Sequence, residues 1–368
     1  MRHEIEYDYW WTCMQSGFCA HMKQIADAAG GTRDLYYMGE EQLKTVKGIS
    51  ETFAAYIYNR RNGWKLKEAY ACLKEQGIRF IPWYDRDYPK KLLQIPGHPF
   101  AIFVKGSLPD ENKSSVAIIG ARDCSEYGRA VAKHFGEALA KYGIQIISGM
   151  AYGIDGIGQT AAITAGGRSY GVLGCGVDVC YPASNRRLYG SLVENGGLIS
   201  EYCPGTRPIS RLFPPRNRII SGLSDAVIVI EARKKSGTLI TVDMALEQGK
   251  EILVVPGRIT DPLSAGCNSL LKQGASPILT VEDALLLLDA NYENKIKKSK
   301  KEKLMLEREE KLVYSVLDLY AKNLEDIASQ VSCSFPELLH ILVSLELKGL
   351  VKEVSKNYYV RTMDVFGQ

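Results

Sequence analysis

The ten residues from Phe213 to Gly222 read Phe-Pro-Pro-Arg-Asn-Arg-Ile-Ile-Ser-Gly and set two guanidinium groups and a carboxamide just after a prolyl pair. Pro215 suits the first turn of a helix, where its missing N–H costs nothing. A helix begun there places Arg216, Asn217 and Arg218 beside free backbone donors, whose dipole attracts an anion. The chemistry on offer is phosphate binding. One such helix end is weak evidence, because arginines also serve as surface residues and structural ion pairs. The weight comes from the loops that accompany it.

Those loops follow a series of buried strands. Continuous apolar runs fall at Val116–Ile119, Ile144–Ile147, Tyr170–Leu173, Leu198–Ile199, Ala226–Ile230 and Ile252–Val255, separated by helical patterns at Gly128–Lys141, Asp155–Ala165 and Leu239–Gln248. Strands buried on both faces and alternating with helices predict a parallel, doubly wound sheet, whose ligands bind at the carboxyl ends of the strands. The first run ends in Gly120-Ala121-Arg122, and the second in Ser148-Gly149-Met150-Ala151-Tyr152-Gly153 before a helix. The third leads through Gly174-Cys-Gly to Asn185-Arg186-Arg187, and the fifth to Lys235-Ser236-Gly237. Glycine lets backbone donors approach an anion closely. Several such turns on one sheet edge, with this many cations, predict a basic groove. Tyr152, Tyr181 and Phe213 are aromatics beside these loops that suit packing as well as stacking on a planar ligand.

The rest of the composition narrows the class. With 368 residues and a formal net charge of +4, the chain has room for two or three domains and carries no bulk basic charge. Its nine cysteines form no Cys-x-x-Cys pair, which argues against a disulfide scaffold or tetrahedral zinc and for reduced thiols in the cytoplasm. There is no apolar run of membrane-spanning length. A Rossmann dinucleotide fingerprint, a phosphate-loop lysine motif, a His-Glu-x-x-His metal motif and a nucleophile elbow are all missing. Of the acids near the strand ends, Asp155 reads as a helix-start residue that accepts from glycine-rich backbone. The pattern favours binding over catalysis, with no cofactor and no metal.

Two flanking segments complete the organisation. Residues 1–80 read as short helices, and Leu43 to Ser50 matches a helix-hairpin-helix turn in which Ser50 replaces the second glycine. Residues 81–114, whose extended pieces are broken by Pro82, Pro89, Pro96 and Pro99, read as a connector lying on the central domain at 115–290. A Lys/Glu-rich linker at 291–311 precedes three helical patterns and a hairpin at 312–362, the order of a winged helix. Its candidate recognition helix is rich in Leu and poor in Arg, which favours protein docking.

The motifs occur in a specific order: Val116-Ala-Ile-Ile-Gly-Ala-Arg122, Ser148-Gly-x-Ala-x-Gly-Ile-Asp155, Gly171-Val-Leu-Gly-x-Gly-Val-Asp178, Tyr181-Pro-x-x-Asn185, Phe213-Pro-x-Arg-Asn-Arg218, Ser236-Gly-Thr-Leu-Ile-Thr241 and Gly266-Cys-Asn-x-Leu-Leu271. As a set they resemble the DNA-processing protein A family (DprA, also called Smf), with Ala121 where the family more often has Ser. The resemblance implies an extended Rossmann-like parallel sheet domain, a small helical N-terminal domain of SAM or helix-hairpin-helix type, and a C-terminal winged helix. It implies a non-enzymatic protein of natural transformation that binds and protects incoming single-stranded DNA and loads RecA onto it. It also implies a homodimer through the Rossmann-like domain, around Leu239–Cys267. The implied strand-binding residues are Gly120, Arg122, Ser148, Gly149, Ala151, Gly153, Asn185, Arg186, Arg187, Arg216, Asn217 and Arg218, to which Lys235 is added from its loop. The central domain is also similar to nucleoside-monophosphate phosphoribohydrolases, but Thr241 stands where their catalytic glutamate would be. A winged-helix regulator of duplex DNA shares both domains and is the remaining alternative.

Overall fold

The apolar runs become the strands of one nine-stranded sheet. The structure is a computed structural model that describes residues 4–14, 21–288, 308–318, 320–331 and 333–361. The chain divides into two compact units, Met1–Leu279 and Thr280–Gln368.

In the larger unit the strands are β1 (Ile78–Pro82), β2 (Ala101–Gly106), β3 (Ser115–Ile119), β4 (Gln145–Ser148), β5 (Ser169–Val172), β6 (Gly196–Ser200), β7 (Ala226–Val229), β8 (Glu251–Val254) and β9 (Ser276–Pro277). Their order in the sheet is β1-β2-β6-β5-β4-β3-β7-β8-β9. Strands β3 to β9 pair in parallel, with Val116 opposite both Ile146 and Ala226. The connections leave β3 toward β4, β5 and β6, then cross back to β7 on its other side. The strand order therefore reverses at β3, and a crevice opens at the carboxyl ends there.

The segment expected to be a connector is part of the sheet. β1 and β2 form an antiparallel hairpin, and β2 pairs antiparallel with β6. The prolines misled because they lie where strands tolerate them: Pro82 ends an edge strand, and Pro89, Pro96 and Pro99 lie between β1 and β2.

Helices at Ile5–Met14, Met22–Ala28, Thr32–Tyr37, Glu40–Thr45, Glu51–Arg61 and Leu66–Glu75 precede the hairpin. Trp10 and Trp11 are fully buried, and Tyr9 meets the rings of Phe80 and Phe103 at centroid distances of 5.6 and 6.0 Å. The helices thus share a core with the hairpin. The turn that resembles a DNA-binding hairpin is used for packing. Val46 and Ile49 are buried, Gly48 takes a left-handed φ of 96°, and the Ser50 hydroxyl caps the next helix by accepting from the Phe53 N–H at 3.2 Å. Nearby Arg61 donates to the carbonyls of Tyr36 and Met38.

Cys13, at the end of the first helix, is bonded to Cys203 in the loop after β6, with Cα atoms 5.3 Å apart. This corrects the expectation of reduced thiols throughout. The partners lie 190 positions apart, so no local spacing announces the pair. No helix among the described residues is long and apolar enough to cross a membrane.

The smaller unit contains helices Val281–Leu288, Arg308–Val316, Leu324–Gln330 and Phe335–Leu347, with β10 (Lys322–Asn323), β11 (Val351–Ser355) and β12 (Tyr358–Arg361) in a three-stranded sheet. Its core gathers Val313, Ile327, Leu338, Leu342, Leu345, Val351 and Tyr359. Asn357 turns the wing with a φ of 64°. The helix order and hairpin are those of a winged helix. Val281–Leu288, placed with the central domain from sequence, falls within this unit.

Candidate nucleic-acid interface

The strand ends around the reversal point enclose a cavity of about 490 Å³. The turn after β3 contributes Gly120 and Arg122, the segment after β4 contributes Ala151 and, at the start of its helix, Asp155, and the segment after β7 contributes Arg233 and Lys235 and, at the start of its helix, Gly237 and Thr238. The helix Phe213–Gly222 closes one side with Phe213, Arg216 and Asn217. Prolines occupy its first turn as expected. A second cavity of about 780 Å³ shares Arg122, Asp123 and Ala151 with the first and adds Arg129, Lys133, Tyr152, Gly153, Asn185 and Arg187.

Arg216 lies at the base of the smaller cavity and is 5 % exposed. Its Nη1 donates to the Gly149 carbonyl at 3.1 Å and to the Val172 carbonyl, and its Nε donates to the Asn217 Oδ1 at 3.2 Å. Burial lowers its pKa to about 10 while the Asp155 charge opposes the shift, so the guanidinium stays cationic at neutral pH. Asp155 accepts from the Gly149 N–H at 3.1 Å. Burial pushes the Asp155 carboxyl up from the ordinary carboxylate value, and the Arg216 charge and hydrogen bonds pull it back. As the sequence suggested, Asp155 collects the donors of its own glycine-rich turn.

That turn is tightly held. Gly153 takes a φ of 71°, and a side chain there would strike the carbonyls of Ala121 and Arg122. Buried Met150 also has positive φ, at 53°. Asn185 clamps the turn by donating to the carbonyls of Met150 and Ala151 at 3.0 and 3.2 Å. A residue held in a sparsely populated conformation by such a clamp marks a functional loop. Ser148 is fully buried, and its hydroxyl donates to the Ile118 carbonyl at 2.7 Å. Ser148 and Asn185 therefore shape the site from behind.

The exposed cations lining one or both cavities are Arg122, Arg129, Lys133, Arg187, Arg233 and Lys235. Arg186 is exposed but lines neither. The Arg122 guanidinium lies 5.9 Å from the Phe213 ring centre, and Tyr181 and Phe213 approach at 5.5 Å with 30° between their planes. Tyr152 and Tyr181 are about half exposed. An anion in the smaller cavity meets guanidinium and ammonium groups, the start of helix Gly237–Glu247, and an aromatic rim.

Arg218 departs from the expectation. It is 6 % exposed, forms an ion pair with Glu201 at 2.7 Å and donates to the carbonyls of Gly97 and Pro215. Two residues along a helix turn the side chain by about 200°, which carries it away from Arg216. Arg218 braces the helix and offers no donor to the cavity lining. Sequence reasoning also passed over Arg233, Arg129 and Lys133 as ligand contacts. Arg233 shares its loop with Lys235, and Arg129 and Lys133 stand four apart on the helix Glu126–Lys141, which is the signal that would have found them.

Asp123 is exposed and lines both cavities, whereas other acids near the strand ends are bonded within the protein. Glu231 accepts from the Ser125 N–H and hydroxyl, Asp178 accepts from the Gly205 N–H, and Thr241 lines the cavity where a hydrolase would need a carboxylate. No cluster of three metal-ligating side chains occurs among the described residues.

Residues 79–289 match the model of a family described as DNA recombination-mediator protein A. The chain is 36% identical over 309 residues to Protein Smf of Escherichia coli, covering 80% of this chain and 82% of that protein. It is 41% identical over 220 residues to DNA processing protein DprA of Bacillus subtilis, covering 60% and 74%. The X-ray structure of DNA processing protein A from Streptococcus pneumoniae superposes with a TM-score of 0.67 at 31% identity, over 78% of this chain and 99% of that one. A structure of DNA processing protein A from Helicobacter pylori, described for its single-stranded DNA binding mode, has a TM-score of 0.51 at 29% identity, over 60% and 96%. By fold, motif order and these relatives, the chain belongs to the DNA recombination-mediator protein A family, DprA/Smf.

Proposed function

We propose that the chain binds single-stranded DNA in the crevice at the carboxyl ends of β3, β4 and β7. It protects incoming strands during natural transformation and passes them to the RecA recombinase. It works in the cytoplasm, without catalysis, as a homodimer through the sheet-bearing unit. One observation carries the reading: Arg122, Arg216, Asn217 and Lys235 converge on one cavity that a clamped glycine turn and an aromatic rim complete. The backbone phosphate is the ligand such a set selects, and unstacked bases have Tyr181, Phe213 and Tyr152 to rest on. Gly120, Gly149, Ala151 and Gly153 let the strand approach. Arg186 and Arg187 extend the positive track from the start of helix Arg186–Glu194. The family's description supports recombination mediation, and Thr241 in place of a carboxylate supports binding over hydrolysis.

The test is fluorescence anisotropy of labelled homopolymer single strands and a matched duplex across a range of salt. Salt-sensitive binding that favours single strands of any sequence is expected. Preference for duplex overturns the reading in favour of a regulator. Binding of free nucleotides alone overturns it in favour of a nucleotide pocket.

A further inference from the structure

The helix Phe335–Leu347 occupies the place of a DNA-reading helix, yet its exposed face is apolar. Leu338, Ile341, Leu342 and Leu345 are buried in the core of the unit. On the outside, Phe335, Leu339, Val343 and Leu347 are 49, 39, 53 and 85% exposed. They fall at steps of four and make one ridge along the helix. Neither Arg nor Lys occurs between Phe335 and Leu347, and the exposed charged or titratable residues there are Glu337, His340 and Glu346. Between Phe335 and Leu347 the helix offers a phosphate backbone no cation, so nucleic acid is a poor occupant.

We propose that the ridge is a self-association surface, covered by the same helix of a second copy running antiparallel. The ridge is symmetric about position 341. A two-fold axis there sets Leu339 against the second copy's Val343 and Phe335 against its Leu347, and each contact occurs twice, as an isologous interface requires. Charge agrees with this direction. Glu337 stands in the first turn and Lys348 follows the last residue, so the antiparallel arrangement brings each acid to the end that carries the other copy's lysine. The positive end of each helix dipole also meets the negative end of the other. Lys348 bonds Glu310 at 2.5 Å and keeps a 30% exposed side chain, and Glu346 is turned to the wing, where it accepts from the Glu353 N–H. Four partly exposed side chains bury on the order of a few hundred Å² per copy, less than the roughly 800 Å² of a standard interface. The association is therefore weak by itself and reinforces chains brought together by other means.

The test is sedimentation equilibrium of the full chain over a wide concentration range, with thermal melts to verify folding. Leu339→Asp and Val343→Lys should each weaken one step of assembly by on the order of tenfold or more. The double variant places two Asp–Lys pairs across the axis and should recover association at low salt. Single variants that assemble like the parent overturn the proposal, as does a double variant that fails to recover. A Leu339→Asp variant that loses duplex DNA binding with unchanged assembly also overturns it, because the face would then be occupied by nucleic acid. Single-strand binding at the crevice of the larger unit is read separately under dilute conditions, so failure of that reading is not failure of this one.

Discussion

The helix Ile154–Thr164 begins at a strand end inside the basic crevice, and the helix Phe335–Leu347 begins on the surface of the smaller unit. Both carry a carboxylate in the first turn that accepts backbone N–H groups. Asp155 takes the Gly149 N–H, and Glu337 takes the Ser334 N–H at 2.8 Å and its hydroxyl at 2.7 Å. Their acidities move in opposite directions. Hydrogen bonds from Ser334 hold the exposed Glu337 below its ordinary value, whereas burial dominates at Asp155 and raises it. The local bonding is alike, so the difference comes from water. An exposed cap keeps its solvation and gains bonds, while a buried one needs a cation, and Arg216 is that cation. The crevice thus holds a buried charged pair, and the smaller unit spends its carboxylate on ending a helix cleanly.

The largest effect should come from breaking the buried pair. Arg216→Met leaves Asp155 without its counter-charge and should cost about 3–5 kcal/mol of stability at neutral pH, read by urea denaturation. A folded-state pKa above the unfolded value means stability that is fully present below the unfolded value and lost as pH rises through the folded one. The deficit of Arg216→Met should therefore shrink on acidification as Asp155 takes up a proton. A deficit that does not change with pH would remove Asp155 from the explanation. Arg218→Ala should cost a similar amount by orphaning Glu201, with the salt slope of single-strand binding unchanged in the folded fraction. A loss of about one phosphate from that slope would restore Arg218 as a ligand contact.

Next comes Arg122→Ala, which removes an exposed cation and should leave stability alone. Single-strand affinity should fall by about tenfold, and the slope of its logarithm against that of salt should lessen by about 0.7. An unchanged slope would make Arg122 a packing partner of Phe213. The smallest effect belongs to Glu337→Gln. Because Glu337 is depressed in the folded state, its contribution is present above the ordinary glutamate value and lost as pH falls through the depressed one. The variant should flatten the acid limb of the stability profile slightly. An acid limb that is equally steep in parent and variant would mean the cap is idle.

Much of this was legible in the chain because strands buried on both faces write themselves as uninterrupted apolar runs, and because glycine-rich turns at their ends stand out. The helix from Phe213 was legible for the same reason, since proline marks a first turn. What failed was the assignment of roles within that helix. Arg216 and Arg218 look alike in sequence, and only the tertiary position of Glu201 separates a brace from a site residue. β1 and β2 were hidden by prolines that an edge tolerates, and the Cys13–Cys203 bond by a separation that no local pattern spans. Arg129, Lys133 and Arg233 carry no motif, and their only signal in the chain is a shared loop for Arg233 and a four-residue helical spacing for the other two.

The hairpin β1–β2 has a consequence for how the chain can be divided. The family match begins at position 79, one residue into β1, whereas packing runs unbroken from Trp10 through Phe80 to Phe103. A chain started at the homology boundary would carry an edge strand stripped of its cover, with aromatic side chains facing solvent and backbone groups ready to pair with a neighbour. Such a fragment should aggregate. The helical segment is thus no detachable module that could be traded between proteins, because the sheet has become its other half.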